Sequence, residues 1–386
     1  MREKIKIAYL DYSHIFAGAE RVLYTIISHL DRSRFEPVLV FPYPMEHQAG
    51  YAGLDCPKHY LADGLKWWMG SDRWRHPLRG TDLLARSIWG CRLARLLKKE
   101  RVDILHVNLL RPDALMWILP AKRAGIKVIG HFRSQSLEWI PPRSVQRQCD
   151  LILCVSQYSR NRMLLKGEHA KSMVLYDSVN VDVFKPAVSK TDAKRKLGFP
   201  EDCFLMSSIG QLSRHKGHDN AIRAFMKIAE SYPKALLFIA GGGRQVDLEY
   251  LKQIVGQYSS ALQNRVIFSG EQVANITEVY SATDLVLSLT KVGEAFGLVP
   301  YEAALMDCPF IAPDKGAVKE FITTGVNGIL VETEDVDAIA GAMRYIMDNP
   351  QKAMAMNALA RQTVMEKLTP AIMTRNLEDV YNHLVG

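Results

Sequence analysis

The sequence predicts an α/β protein with two Rossmann-like domains, each built around a doubly wound parallel sheet. Short apolar runs recur along the chain and are separated by longer amphipathic stretches. Apolar strands that alternate with helices are typical of parallel sheets covered on both faces. A chain of 386 residues, of which 48% are hydrophobic, is long enough for two domains of ordinary size.

The apolar runs give the predicted strands, and they divide into two groups of equal size. The first group comprises residues 5–10, 38–41, 104–107, 128–131, 151–155 and 173–176. The second comprises residues 204–209, 235–240, 266–268, 285–289, 309–312 and 328–331. So many strands make two sheets rather than one.

The domain boundary is expected in the turn-rich segment 177–186, which ends in a proline. The predicted N-terminal domain is therefore 1–185, and the C-terminal domain is 186–369. The last segment, about 370–386, has the apolar spacing of a helix. We expect it to pack back on the first domain.

Composition indicates a cytoplasmic protein that does not cross a bilayer. The N-terminus enters a strand directly, with no signal-peptide pattern, and no apolar stretch reaches the ~18–20 residues of a membrane span. The six cysteines match neither a Cys-x-x-Cys motif nor a zinc site, which favours a reducing compartment.

The net charge of +8, with a pI of about 9.0, favours an anionic partner. Part of the excess surrounds the tryptophans of the segment 67–74, where basic and aromatic residues alternate. Such a segment is suited to bind anionic lipids at the inner face of the cell membrane, or a lipid-linked or carbohydrate acceptor. A surface loop with its tryptophans packed beneath it is the alternative interpretation.

The loop 210–217 carries cations between two glycines and follows the predicted strand 204–209. Its glycines let the backbone turn before a helix that begins near His218. Arg214 and Lys216 could reach a diphosphate from there. An ordinary strand-end turn with solvated basic residues would contain the same residue types.

The segment 293–302 follows another strand and opens a helix. The first N–H groups of that helix, at Leu298 and Val299, favour an anion. Glu302 can accept hydrogen bonds from ribose hydroxyls, and Glu294 can accept them from sugar hydroxyls. The helix dipole alone also favours an acid at Glu302. Both loops follow strands of one domain, at the sheet edge where open α/β sheets bind ligands.

In this context the chain resembles the retaining glycosyltransferases of family GT4, which have the GT-B fold. The matching motifs are Gly-x-Leu-x-x-x-Lys-Gly at 210–217, Glu-x7-Glu at 294–302, the strand end 238–243 and the turn 325–328. The resemblance covers residues 200–345 strongly and the N-terminal half weakly. It implies two Rossmann-like domains that face a central cleft, of which the N-terminal domain (1–185) binds the acceptor and the C-terminal domain (186–369) binds the nucleotide-sugar donor.

In the N-terminal half, Ala17-Gly18-Ala19-Glu20 looks like the Gly-Gly-x-Glu loop of the family. The resemblance implies that Gly18 lets the backbone approach the donor and that a helix starts near Ala19. It places His131 at the family's active-site histidine, and His106 is a poorer candidate. A histidine at a strand end is otherwise more often structural.

The resemblance implies two sets of functional residues. The expected catalytic residues are His131, Lys216 and Glu294. The expected donor- or nucleotide-binding residues are Gly18, Arg214, Lys216, Val273, Phe296, Gly297, Leu298, Val299 and Glu302. The base is expected near residues 270–273.

Three positions depart from the family pattern. Gln211 stands where many relatives carry an arginine, and Arg214 is the expected substitute for that cation. Ala17 replaces the first glycine of its loop. The stretch 177–180, Asp-Ser-Val-Asn, replaces the usual Asn-Gly-Val/Ile-Asp turn.

The resemblance implies a retaining hexosyltransferase that requires no cofactor and no metal. The expected donor is UDP-glucose, and the expected acceptor is a lipid-linked glycan in cell-surface or extracellular polysaccharide biosynthesis. The Asp-x-Asp at 335–337 follows the strand 328–331 in a late acidic stretch and is not a convincing metal site. No helix-turn-helix, RNP-like or zinc signature indicates nucleic-acid binding.

Two alternatives are of other classes. A nicotinamide-dependent oxidoreductase would need Gly-x-Gly-x-x-Gly after the first strand, and the loop after Leu10 lacks it. A catalytically degenerate nucleotide-sugar-binding or membrane-associated scaffold of the same fold remains open.

Overall fold

The computed structural model describes residues 4–13, 16–42, 44, 46–61, 80–134, 137–165, 171–270, 273 and 275–386. The chain divides into two compact units. The first comprises Met1–Ser178 and Pro370–Gly386, and the second comprises Val179–Thr369. The first unit thus ends at Ser178 and not at the expected residue 185. The reason is local, because the Val179 N–H donates to the Leu368 carbonyl (2.8 Å) and Phe184 packs on Tyr280.

The first unit is built on a seven-stranded sheet of parallel strands in the order β3-β2-β1-β4-β5-β6-β7. Its strands are β1 (Ile5–Leu10), β2 (Phe35–Phe41), β3 (Lys58–Tyr60), β4 (Ile104–Val107), β5 (Lys127–Phe132), β6 (Leu151–Cys154) and β7 (Ser172–Val174). Its first helices are α1 (Gly18–His29), α2 (Gly80–Lys99), α3 (Leu115–Arg123), α4 (Arg143–Gln146) and α5 (Gln157–Leu164).

The strands of the first unit form because their side chains are buried on both faces of the sheet. Ile7, Ala8, Tyr9 and Leu10 of the central strand β1 are all fully buried. The edge strand β3 is absent from the prediction, because Lys-His-Tyr contains no apolar run. It pairs with β2 at the margin of the sheet, where polar side chains are tolerated.

The second unit contains a six-stranded sheet of parallel strands in the order β10-β9-β8-β11-β12-β13. Its strands are β8 (Phe204–Ile209), β9 (Ala235–Ala240), β10 (Val266–Phe268), β11 (Leu285–Leu287), β12 (Phe310–Pro313) and β13 (Ile329–Val331). Its helices are α6 (Lys190–Lys196), α7 (His218–Ile228), α8 (Gln245–Val255), α9 (Ser260–Gln263), α10 (Ile276–Ala282), α11 (Val299–Leu305), α12 (Val336–Asp348) and α13 (Pro350–Lys367).

The C-terminal helix α14 (Pro370–Val385) belongs to the first unit and packs on α1. The Asp31 N–H donates to the Glu378 carboxylate (2.8 Å). The ring of Tyr381 is fully buried against Phe35 and Tyr9. These contacts bury the apolar face of α14.

Both sheets confirm the predicted α/β class, and each contains a switch point where the strand order reverses. In the second unit this point lies between β8 and β11, which are neighbouring parallel strands. Loops that leave the carboxyl ends of such strands meet at one edge of the sheet. The motifs 210–217 and 294–302 are in the loops that follow these two strands.

Among the helices in the described part of the chain, none combines the length and hydropathy that a membrane crossing requires.

Candidate functional site

Gly217 fixes the loop after β8 against the end of β11. It adopts a left-handed conformation (φ 75°, ψ 16°) immediately before α7. A Cβ at this position would lie 1.9 Å from the carbonyl oxygen of Leu289. Only glycine meets both demands, since other residues disfavour a positive φ and have no room there. This contact brings the neighbouring Lys216 beside the loop that follows β11.

Lys216 and Glu294 form an ion pair between these two loops. The Lys216 ammonium donates a short hydrogen bond to Oε1 of Glu294, which also accepts from the hydroxyl of Thr290 (3.1 Å). Both charged side chains are partly exposed, at 26% and 17%. The sequence predicted that these residues belong to one site, and the structure places them in contact.

Gly297 shapes the turn between Glu294 and α11. Its φ is +82°, and a Cβ there would lie 2.5 Å from the second carboxylate oxygen of Glu294. Because glycine has no side chain, position 297 leaves room for the Glu294 carboxylate in this turn. Leu298 and Val299 follow at the start of α11, where the first amides have no intrahelical acceptor.

Glu302 lies in α11 and is largely buried. One of its carboxylate oxygens accepts a hydrogen bond from the hydroxyl of Tyr280 (2.7 Å), whose ring is fully buried. This contact fixes the orientation of the carboxylate. Phe296 packs its side chain on the rings of Tyr301 and Phe321, with centroids 5.3 and 6.2 Å apart, and so supports the turn from within.

Arg214 stacks on an aromatic ring, with its Cζ 3.2 Å from the centroid of Tyr250. Arg214 is on the same loop as Lys216, and the stacking holds its guanidinium against the ring of Tyr250 in α8. Val273 is half-buried between β10 and α10. Residues 271, 272 and 274 lie outside the described residues, as does the basic and aromatic segment 67–74.

In the first unit, Gly18 is the first residue of α1, which begins one residue before the expected Ala19. The Ala17 N–H donates to the carboxylate of Glu20 (2.9 Å), which caps the helix start. Burial raises the pKa of Glu20, and the nearby Asp11 adds to that effect.

His131 is fully buried in β5 and makes two contacts through one nitrogen. Its Nδ1 lies 3.1 Å from Nε2 of His106 and 3.1 Å from Nη2 of Arg133. Nδ1 of His106 lies 2.7 Å from the hydroxyl of Tyr381, which is 3.0 Å from the hydroxyl of Tyr9. His106 therefore contacts His131 directly, although the sequence made it only the poorer candidate.

Arg133 forms a nearly buried ion pair with Asp177, whose side chains are 3% and 10% exposed. We call the connected group the buried polar cluster, and its members are Tyr9, His106, His131, Arg133, Asp177 and Tyr381. The roles of Tyr9, Arg133 and Tyr381 in it were not predicted from the sequence. The only signal was Asp177, which occupies the position of the family's usual asparagine.

Burial keeps both histidines of the buried polar cluster neutral. Burial, with a contribution from the charge of Arg133, lowers the pKa of His106 to about 3. For the same reasons, and because His106 is adjacent, the pKa of His131 lies well below its ordinary value. Neither ring carries a charge near neutral pH.

No group of three or more metal-ligating side chains occurs among the residues that the structure describes. Asp335 caps α12 by accepting from the Ala338 N–H (2.9 Å). Asp337 pairs with Lys227 (2.7 Å). The two acids of the Asp-x-Asp sequence are therefore engaged separately.

Two family models match the chain, one in each half. Residues 16–183 match the model described as Glycosyltransferase Family 4. Residues 189–363 match the model described as Glycosyl transferases group 1. Together they include the loop with Gly18, the buried histidines and both motifs of the second unit.

Two curated relatives are similar over most of their length. The GDP-mannose-dependent monoacylated alpha-(1-6)-phosphatidylinositol monomannoside mannosyltransferase of Corynebacterium glutamicum is 26% identical over 306 residues, which cover 75% of this chain and 78% of that protein. The lipopolysaccharide core biosynthesis mannosyltransferase LpcC of Rhizobium leguminosarum bv. viciae is 25% identical over 334 residues, 86% of this chain and 85% of that protein.

The fold is shared with HepE from Anabaena. Its complex with UDP matches with a TM-score of 0.82 and 20% identity, and covers 98% of this chain and 100% of that chain. Its complex with UDP-glucose matches with a TM-score of 0.81 and 19% identity over the same shares. At this identity the likeness shows the fold alone.

Proposed function

Since this chain belongs to the GT4-type glycosyltransferases with the GT-B fold, we propose that it transfers glucose from UDP-glucose to a hydroxyl of a lipid-linked glycan in surface or extracellular polysaccharide synthesis. We further propose that the transfer retains the anomeric configuration, needs no metal, and occurs in the cytoplasm at the inner face of the membrane. The observation that carries the proposal is the contact between Lys216 and Glu294.

Lys216 and Glu294 neutralise each other in the protein without substrate. A nucleotide-sugar donor offers each of them a better partner, because its diphosphate attracts the ammonium and its sugar hydroxyls donate to the carboxylate. The donor therefore replaces one internal ion pair with two interactions. Both side chains are already in position, so that little conformational entropy is lost on binding.

The leaving group is a nucleoside diphosphate, so negative charge develops on it as the glycosidic bond breaks. A fixed ammonium at Lys216 stabilises that charge in the transition state. The amides at the start of α11 and the guanidinium of Arg214 would add to the positive potential. These groups supply the stabilisation that a metal would otherwise give.

The carboxylate of Glu302, oriented by Tyr280, is the proposed acceptor for the ribose hydroxyls. His131 is the proposed contact to the transferred sugar. Retention would arise from attack on the same face as the leaving group, which needs no carboxylate nucleophile. The donor phosphate would then take the proton of the acceptor hydroxyl.

The choice of donor is supported by the UDP-glucose bound in HepE, and the acceptor by the lipid and lipopolysaccharide products in the names of the relatives. GDP-mannose is the second candidate donor, because the Corynebacterium relative is GDP-mannose-dependent.

A panel of nucleotide sugars tests the proposal. Each is offered to the purified chain with water as the acceptor of the sugar. Binding is scored by thermal shift, and turnover by the nucleoside diphosphate that hydrolysis releases. We expect UDP-glucose to give the largest shift and turnover, and the initially released sugar to have the donor's anomeric configuration by proton NMR. A preference for GDP-mannose would correct the donor, and no turnover with any donor would favour the degenerate scaffold.

Chelation tests the metal-independent chemistry. Turnover should be unchanged after dialysis against EDTA, since Lys216 and the loop supply the positive charge. Loss of turnover that added Mg²⁺ or Mn²⁺ restores would contradict this part of the proposal.

A further inference from the structure

The contacts of the buried polar cluster determine which nitrogen of His131 carries the proton. Arg133 is only a donor, because a guanidinium has no acceptor atom. Its Nη2 lies 3.1 Å from Nδ1 of His131, so that Nδ1 must present its lone pair. Since the buried ring is neutral and has one proton, that proton is on Nε2.

The second contact of the same nitrogen agrees with this assignment. Nε2 of His106 faces Nδ1 of His131 at 3.1 Å and must therefore donate to it. Nδ1 of His106 is then an acceptor for the one hydroxyl proton of Tyr381, at 2.7 Å. That proton then goes to His106 in place of the Tyr9 hydroxyl, which lies 3.0 Å from Tyr381 and is the longer of the two contacts. The opposite tautomer of His131 would place an N–H against the Arg133 guanidinium, which repels it.

Asp177 holds the guanidinium in this position. Its carboxylate accepts a hydrogen bond from Nη1 of Arg133, while Nη2 contacts His131. Burial raises the pKa of the Asp177 carboxyl, and the Arg133 charge acts in the opposite direction. A nearly buried, hydrogen-bonded pair of this kind restricts the arginine to one geometry.

Nε2 of His131 is buried and has no hydrogen-bond partner among the described residues. A buried N–H without an acceptor is unfavourable, because the group has lost its hydrogen bond to water. The Nδ1 edge of the ring is fully used inside the cluster, so only the Nε2 edge remains for a ligand. The ligand atom that completes it must be an acceptor, such as a sugar hydroxyl oxygen.

We propose that Arg133 and Asp177 are positioning residues that hold His131 as its Nε2–H tautomer, so that His131 meets the substrate as a hydrogen-bond donor and not as a base. A general base would need a lone pair at the ring nitrogen that has no partner among the described residues, and here that nitrogen carries the proton. The contact with substrate rests on the proposed function, whereas the tautomer itself does not.

The tautomer is measured directly on the full chain. Protein with ¹⁵N-labelled histidine is recorded in long-range ¹H–¹⁵N correlation spectra, and the His131 signals are assigned with His131→Gln. We expect one neutral Nε2–H form between about pH 5 and 8, the range in which ordinary histidines titrate. An Nδ1–H form, or a protonated ring in that range, would overturn the proposal.

The role of the pair is tested by removing both partners together. Arg133→Met/Asp177→Leu leaves no buried charge unpaired, which makes it better tolerated than either single change. We expect its His131 to populate the Nδ1–H tautomer. An unchanged, pure Nε2–H form would show that the pair does not set the tautomer. If the double variant fails to fold, Arg133→Met/Asp177→Asn, which also removes both charges and the donor to His131, is measured with the same two outcomes.

Asp177→Asn is the matched conservative variant, because an amide oxygen can still accept from Arg133. We expect it to retain the wild-type tautomer and most of the turnover. With the donor found by the panel, the double variant should lower kcat by about tenfold or more, with little change in the KM of the donor. Loss of the tautomer in Asp177→Asn, or an unchanged kcat in the double variant, would contradict the positioning role.

The two proposals fail in different ways. Absence of turnover with every donor would refute the proposed function and leave the tautomer result intact. An Nδ1–H form of His131 in an active wild-type enzyme would refute the positioning role alone.

Discussion

The loops of the second unit and the buried polar cluster of the first unit prepare their functional groups in opposite ways. In the second unit, glycines with positive φ bring Lys216 and Glu294 together at partly exposed positions. In the first unit, His131 is fully buried and is oriented by side chains alone. The backbone therefore sets the position of the diphosphate-binding charges, whereas a hydrogen-bond network sets the protonation of the histidine.

The difference predicts separate responses to mutation. Removing a charge in the second unit should affect chemistry and spare the fold, since the lost groups are partly solvated. Disturbing the buried polar cluster should affect stability as well, since buried polar groups without partners are costly. The following predictions test this contrast, from the largest expected effect to the smallest.

Lys216→Ala should lower kcat by about 100- to 1,000-fold, because it removes a fixed charge that stabilises the leaving group. The thermal transition should stay close to that of the wild type. The matched control is Lys227→Ala in α7, an exposed lysine (47%) of the same unit, whose turnover should be normal. Equal turnover in all three proteins would refute the assigned role.

Gly217→Ala should lower the free energy of unfolding by about 3 kcal/mol or more, because it combines a positive φ with a steric clash against Leu289. Urea unfolding monitored by circular dichroism measures the loss. Gly325→Ala separates the two causes, since Gly325 has φ +77° with nothing within 4 Å of a Cβ, and should cost about 1–2 kcal/mol.

Gly341→Ala is the control for glycine removal itself. Gly341 lies inside α12 with open space around a Cβ, so alanine should stabilise by up to about 1 kcal/mol. Similar losses in all three glycine variants would show that the close approach at Gly217 is not what the fold requires.

Acid should destabilise the first unit through its two buried histidines. Their pKa values lie below the unfolded value of about 6.5, so the unfolded chain binds more protons as the pH falls. Stability should be complete above about pH 6.5 and should then decrease as the pH falls, down to the folded pKa of about 3 for His106.

Tryptophan fluorescence measures this effect, because all six tryptophans lie in the first unit. Urea unfolding is measured at several pH values, and the free energy of unfolding is plotted against pH. The slope of this plot below about pH 6.5 should be smaller in His106→Gln than in the wild type. His383→Gln, at an exposed position of α14, should leave the slope unchanged. Equal slopes in His106→Gln and the wild type would contradict the buried, neutral state.

Among the substitutions at the site itself, as distinct from the glycine controls, Tyr280→Phe should give the smallest effect, a loss of about 1–3 kcal/mol of stability, because Glu302 loses one buried donor. The phenylalanine keeps the packing of the ring on Phe184. We also expect a higher KM for the donor, since the carboxylate is no longer oriented. A KM and a stability equal to those of the wild type would remove Tyr280 from the site.

The fold was predictable because buried parallel strands are continuous apolar runs, and β1, β4, β8, β9 and β10 have the predicted bounds. The polar edge strand β3 carries no such signal. In the second unit, Lys216 and Glu294 were predictable as one site because each motif is local and both follow neighbouring strands.

The buried polar cluster was not predictable in the same way. Its members come from β1, β4, β5, the end of the first unit and α14, and each is an ordinary polar residue in its own segment. Only the tertiary structure brings Tyr9, Arg133 and Tyr381 to the two histidines. Asp177 stood out because it departs from the family's turn, but its partner could not be read from the sequence.

Calorimetric titration of UDP, UDP-glucose, GDP and GDP-mannose tests the central claim most directly, with wild type, Lys216→Ala and Lys227→Ala compared side by side. We predict that the ligands of one base, either UDP and UDP-glucose or GDP and GDP-mannose, bind the wild type and Lys227→Ala with equal affinity. The same ligands should bind Lys216→Ala at least about tenfold more weakly, a loss of about 1.4 kcal/mol or more in binding free energy. Equal affinity for all three proteins would contradict the assignment of Lys216 to the diphosphate of the donor.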